Sequence, residues 1–164
     1  MTQGDEFRAI VEPGPPKYGS PEYQKQAEEL VEISASLTDR EKMISEYWSD
    51  GPNSEQAPGH WSQFAQYVSL RDHDSVDDDV KMFFALTNAM FDAGIAAWDA
   101  KRAYDSVRPV TAIPLLFRGK KIRAWGAPGR GTVEMDGSQW IPYHPTTFPT
   151  PPFPEFVSGH STYR

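Results

Sequence analysis

Apolar residues recur at helical spacing over residues 21–117 and lose that rhythm over 118–157. Leu30, Ile33 and Leu37 fall three or four apart and predict a helix over 21–36, with Pro21 in its first position and Ser20 as its cap. Thr38 to Glu41 has the form of a capping box and opens a second helix carrying Met43, Ile44, Tyr47 and Trp48. Asp50-Gly51-Pro52 is a turn signal that closes it. After a loop over 51–59, the spacing of Trp61, Phe64, Tyr67 and Val68 predicts a third helix from Gly59 to about Leu70. The longest pattern runs from Val76 to Val107, where Met82, Phe83, Leu86, Met90, Ala93, Ala97 and Trp98 trace an apolar stripe. At 1.5 Å per residue such a helix is ~45 Å long, enough to be the central element that others pack round. Small residues (Ala89, Ala93, Gly94, Ala96, Ala97) sit in its middle, where they let neighbours approach.

Residues 110–117 are apolar and continue as a short helix or strand after Pro109. The stretch 118–157 is rich in proline and glycine and carries Trp125, Trp140, Tyr143, Phe148, Phe153 and Phe156. Length without periodicity predicts a functional loop, and its aromatic residues favour one that packs and shapes a pocket. Residues 1–20 read as an irregular lead-in, and 21–164 as one partial helical domain.

Composition narrows the function. At 38% hydrophobic and 13% aromatic the chain is ordinary for a globular protein. A net charge of −7 argues against nucleic acid or an anionic membrane as the main partner. There is no cysteine, which excludes disulfides, thiol catalysis and cysteine metal sites. No apolar run reaches the ~20 residues of a membrane span, and the N-terminus lacks the features of a signal peptide. Location stays open, with a secreted or periplasmic parent compatible, as does oligomeric state. Asp72, Asp74 and Asp77 precede a helix, where the macrodipole favours acids; the stretch lacks the glycine and terminal glutamate of an EF-hand.

Against this acidic background, Lys101 and Arg108 stand out. Seven apart, they are expected on one helix face, in a ridge with Trp98 and Asp105 that ends at the Pro109 stop. Asp105 is expected to pair with one of the cations and position it. A guanidinium fork and an ammonium together suit an oxyanion. Ser158-Gly159-His160 adds a plausible helix cap, a close backbone approach and an imidazole suited to proton transfer near neutral pH. A solvated helix face and a surface histidine are the bland readings of the same residues. His60, His73 and His144 show no zinc-ligand spacing.

Lys101-x6-Arg108-Pro109 followed by Ser158-Gly159-His160 resembles the first two signature blocks of the vanadium-dependent haloperoxidase and type 2 phosphatidic acid phosphatase superfamily. Trp98, and Pro151-Pro152-Phe153-Pro154 ahead of the histidine, resemble the haloperoxidase branch. The resemblance implies an all-α helical bundle that binds vanadate through Lys101, Arg108, Ser158 and Gly159, with Lys101, Arg108 and His160 catalytic. Trp98 and Phe153 would line the halide side of the pocket. Asp50 resembles an aspartate that pairs with an arginine of a third block, although an Asp-Gly turn explains it equally well. The implied reaction oxidises chloride or bromide to hypohalous acid with hydrogen peroxide. Hydrolysis of a phosphate ester is the alternative, and a catalytically dead assembly fragment is the third reading. The family's third block carries the histidine that bonds vanadium, and the chain stops at Arg164 before it. A C-terminally truncated fragment with little activity of its own is therefore expected. The whole reading requires two cations and an imidazole to converge on one tetrahedral guest.

Overall fold

The computed structural model describes residues 13–144 and 148–163; the first twelve residues of the expected lead-in, 145–147 and Arg164 lie outside the described residues. The elements in order are α1 (Pro21–Ser36), α2 (Asp39–Tyr47), α3 (Gln56–Asp72), α4 (Val76–Tyr104), α5 (Pro109–Leu116), β1 (Lys121–Trp125), β2 (Thr132–Asp136), a 3-10 turn (Gly137–Gln139) and α6 (Gly159–Thr162). By packing, the chain divides into two compact units, residues 47–103 with 157–163, and 13–46 with 104–156.

Local signals set most helix starts. Ser20 Oγ accepts from the Tyr23 N–H at 3.2 Å. Thr38 and Glu41 form the reciprocal box, with Glu41 Oε2 accepting from the Thr38 N–H at 2.7 Å and Thr38 Oγ1 from the Glu41 N–H at 3.3 Å. Ser75 Oγ accepts from the Asp78 N–H at 3.3 Å and opens α4 ahead of its acidic first turn. Helix α3 begins three residues before Gly59, so that Pro58 falls in its first turn, where a missing N–H costs nothing. It ends at His73 in the left-handed conformation, φ 58°.

Two expectations fail at the end of α4. The helix stops at Tyr104, not Val107. Asp105 has φ 41°, and Arg108 is extended (φ −80°, ψ 153°) as the residue capping α5. The Pro109 ring excludes Arg108 from helical geometry while suiting the first position of a new helix. Lys101 and Arg108 therefore share no helix face, and the predicted ridge does not exist.

The second unit contains a small, closed core. Helix α1 packs on the hairpin β1–β2 and on α5, gathering Ala27, Val31, Ile113, Phe117, Ile122, Ala124 and Trp140. The hairpin corrects the expectation of an irregular 118–157. Its strands pair antiparallel from Lys121↔Asp136 to Trp125↔Thr132. In β1, Ile122 and Ala124 are buried and Lys121 and Arg123 exposed, the period-two alternation of a half-buried strand, which ends at buried Trp125. The hairpin is tied to α1 by the Trp125 N–H donating to Ser34 Oγ at 3.1 Å and by Thr132 Oγ1 donating to the Ala35 carbonyl at 2.6 Å. Gly137 packs directly on the Cβ and carbonyl of Phe117.

The first unit is α3, most of α4 and the single turn α6. Among the described residues, Ala65, Ala97, Ala100 and Lys101 are buried in it, while Tyr67, Leu70, Val80, Phe84, Phe91 and Trp98 are exposed. Helix α4 runs unbroken through Gly94, where a Cβ would stand 2.7 Å from the Tyr163 hydroxyl, so the glycine admits the residue that closes α6. By length and composition alone, Val76–Leu116 contains an 18-residue window apolar enough for a membrane span, a weak signal that the core helix of a globular protein also gives.

Candidate functional site

In the first unit, Lys101 lies three residues before the end of α4 and is only 3% exposed. A buried ammonium is rare unless the fold assigns it a counter-charge or a ligand, so the solvated-face reading does not apply to it. Trp98, one turn earlier, is exposed. Ser158 caps α6 as expected, its Oγ accepting from the Ser161 N–H at 3.3 Å. Around Gly159 the described residues leave open space where a side chain would project.

His160 follows on α6 with its side chain about half exposed, and its Nε2 stands 3.8 Å from Asp50 Oδ2. That separation is a charge contact, longer than a hydrogen bond. Asp50 is 7% exposed at its side chain and sits at φ 45°, in the left-handed region that aspartate tolerates better than most residues. Its other oxygen, Oδ1, accepts from His60 Nδ1 at 3.0 Å. His60 is carried on the second turn of α3, and its Nε2 is 3.3 Å from the Tyr47 hydroxyl. Its ring stacks on Phe64 (centroids 5.2 Å, 27°) and lies 5.0 Å from Trp48. The sequence had assigned His60 no role. The signal available was a Gly-, Pro- and Asn-rich return between Asp50 and a histidine on the second turn of the next helix, a geometry that brings two such residues together.

In the second unit, Arg108 is half-buried and clamped by Phe153. Arg108 Nη1 donates to the Phe153 carbonyl at 3.0 Å, and the guanidinium lies 5.1 Å from the centre of the Phe153 ring. The segment after Phe153 is sewn down beside it. The Glu155 N–H donates to the Ser106 carbonyl at 3.1 Å and the Phe156 N–H to Ser106 Oγ at 2.8 Å. Phe156 also meets Tyr104 edge-on at 5.4 Å. Burial draws the Arg108 guanidinium below its usual range, and the charge of Glu155 opposes that pull. Phe153 thus holds a cation with both ring and backbone, beyond the wall expected of it. Asp105 contributes the left-handed residue at the helix break.

Arg108 also tests the fit to vanadate. Its Nε is buried and has no hydrogen-bond partner among the described residues. A buried guanidinium N–H left unpaired is costly, and an anion oxygen is the partner that satisfies it best. Taken by itself, the spare donor of Arg108 suits an oxyanion oxygen such as vanadate offers. Among the described residues, no three His, Asp or Glu side chains gather as a metal-binding group.

The helical fold is that of the vanadium haloperoxidases. The chain belongs to the vanadium haloperoxidase family: the VCPO second helical-bundle domain matches residues 81–164. Holo-type and apo-type crystal structures of a bacterial vanadium-dependent chloroperoxidase are similar over 99% of this chain, at 28% and 30% identity and a TM-score of 0.73 in each case. The chain spans about a third of their length, 33% and 34% respectively. Among curated proteins, none matches.

Proposed function

We propose that this chain supplies the vanadate-holding and proton-handling residues of a vanadium-dependent haloperoxidase that uses hydrogen peroxide to oxidise chloride or bromide to hypohalous acid. The observation that carries the proposal is Arg108, held in place by Phe153 yet with a buried Nε donor left unspent. In this reading Lys101 and Arg108 neutralise the anion, Ser158 and Gly159 add short polar contacts, and Trp98 and Phe153 face the halide. His160 holds or releases a proton at Nε2, the atom that stands 3.8 Å from Asp50 Oδ2. Bound vanadate supplies the Lewis-acidic centre that activates peroxide.

Titration of orthovanadate followed by 51V NMR, then addition of peroxide and bromide with a phenol dye, tests the reading on a protein that joins this chain to the family's third block. Saturable vanadate binding with bromination of the dye supports it. Hydrolysis of nitrophenyl phosphate without bromination moves the assignment to a phosphatase. Neither binding nor turnover defeats both and leaves a helical assembly element.

A further inference from the structure

We infer that His60 is a positioning residue, which turns the Asp50 carboxylate so that one oxygen is committed to His60 and the other is left facing His160. The inference deepens the reading above and rests on it, since it gives His160 the proton-handling role.

Three observations support it. The two carboxylate oxygens of Asp50 are divided between two imidazoles, with only the His60 contact at hydrogen-bond length, 3.0 Å against 3.8 Å. A carboxylate 7% exposed needs a donor, and His60 Nδ1 is the side-chain donor that meets it. His60 is itself fixed. Its side chain is 12% exposed, stacked on Phe64 and bordered by Trp48 and Tyr47. Because a carboxylate only accepts, the proton of a neutral His60 belongs on Nδ1. Nε2 is then the acceptor, and the Tyr47 hydroxyl at 3.3 Å is its donor. The chain Tyr47–His60–Asp50 therefore satisfies each atom in one direction only. It ends on Oδ1 and leaves Oδ2 as the oxygen that His160 faces. Asp50 lies in a left-handed turn before Gly51, where the backbone does not by itself fix the carboxylate, so the direction is set by His60.

The test is NMR of the imidazoles in the 15N-labelled chain, without vanadate. In the wild type, two-bond proton–nitrogen correlations are expected to show His60 as the Nδ1–H tautomer. His60→Phe keeps a ring against Phe64 and Trp48 but removes the donor, and is expected to shift the imidazole signals of His160. His60→Asn places an amide nitrogen where Nδ1 was, and is expected to return the His160 signals to their wild-type positions. Unchanged His160 signals in a folded His60→Phe chain overturn the inference, as does an Nε2–H tautomer at His60 in the wild type. Should His60→Phe not fold, His60→Asn decides alone: wild-type His160 signals sustain the inference and displaced ones overturn it. With no vanadate present, failure here leaves the vanadate titration untouched, and failure of that titration leaves this result standing.

Discussion

Replacing Arg108 with lysine separates charge from geometry. The guanidinium spends Nη1 on the Phe153 carbonyl at 3.0 Å and keeps Nε, buried and unpaired, for a guest. A single ammonium carries the same charge but has no rigid fork with which to hold both positions. A hydrogen bond involving a charged group contributes roughly 1.5–3 kcal/mol. Arg108 is only half-buried, so solvent screening selects the lower end of that range, about 1.5 kcal/mol. At 1.4 kcal/mol per decade, Arg108→Lys should weaken vanadate binding about tenfold. Arg108→Ala also loses the charge and the contact with the Phe153 ring, the latter contributing about 0.5–1 kcal/mol at an exposed site. On those figures the ring contact accounts for a further factor of roughly two to five beyond lysine, and the lost charge adds to it. Calorimetric vanadate titration of the three proteins at one pH, with melting curves to confirm folding, measures both steps. Wild-type affinity in Arg108→Lys refutes the reasoning, because charge alone would then account for the site.

Other consequences concern the scaffold. Ser34→Ala leaves the buried Trp125 N–H unpaired and should cost about 1–3 kcal/mol, read as a fall of several degrees in Tm. Gly137→Ala drives a methyl into the Phe117 backbone, which cannot give way, and should cost about 1–3 kcal/mol or more in urea unfolding. Gly94→Ala meets only the far end of Tyr163, so the ~1 kcal/mol gain in helix propensity should offset the contact. Urea midpoints close to wild type for Gly94→Ala but lowered for Gly137→Ala are expected, and the reverse order contradicts the packing. The Tyr143 hydroxyl donates to Glu46 Oε1 at 2.6 Å, and that bond holds its pKa up at about 12. A raised folded pKa stabilises below the unfolded value near 10 and loses that contribution as pH climbs towards 12. Tyr143→Phe should therefore flatten the decline in Tm between those limits.

What the sequence revealed was local. Ser20, the Thr38–Glu41 box and Ser158 announce helix starts because cap and partner lie three residues apart. The hairpin was equally local, in the alternation of Lys121-Ile-Arg-Ala-Trp125 and Thr132-Val-Glu-Met-Asp136, but it was hidden by the prolines and glycines around it. At Pro109 the signal was read and its consequence missed. A residue forced out of the helix cannot share a face with Lys101. The pairings that shape the site were beyond periodicity altogether, since Arg108 finds Phe153 across 45 residues and Asp50 finds His160 across a longer gap.

The Arg108–Phe153 clamp gives the Pro151-Pro152-Phe153-Pro154 run a physical purpose. Prolines have no N–H to donate and cannot take part in helix or sheet ladders, so the carbonyls between them stay available to an outside donor. A run of them is also stiff, which lowers the entropy lost when one carbonyl is fixed against a guanidinium. Pro109 does the complementary thing on the other side, holding Arg108 extended so that its side chain leaves the helix end instead of lying along a helix flank. The two proline signals therefore act on one contact: one fixes the backbone of the donor and the other frees the acceptor. If that is so, the aromatic ring is secondary to the carbonyl. Phe153→Leu, which keeps the carbonyl, should then cost far less vanadate affinity than Arg108→Lys.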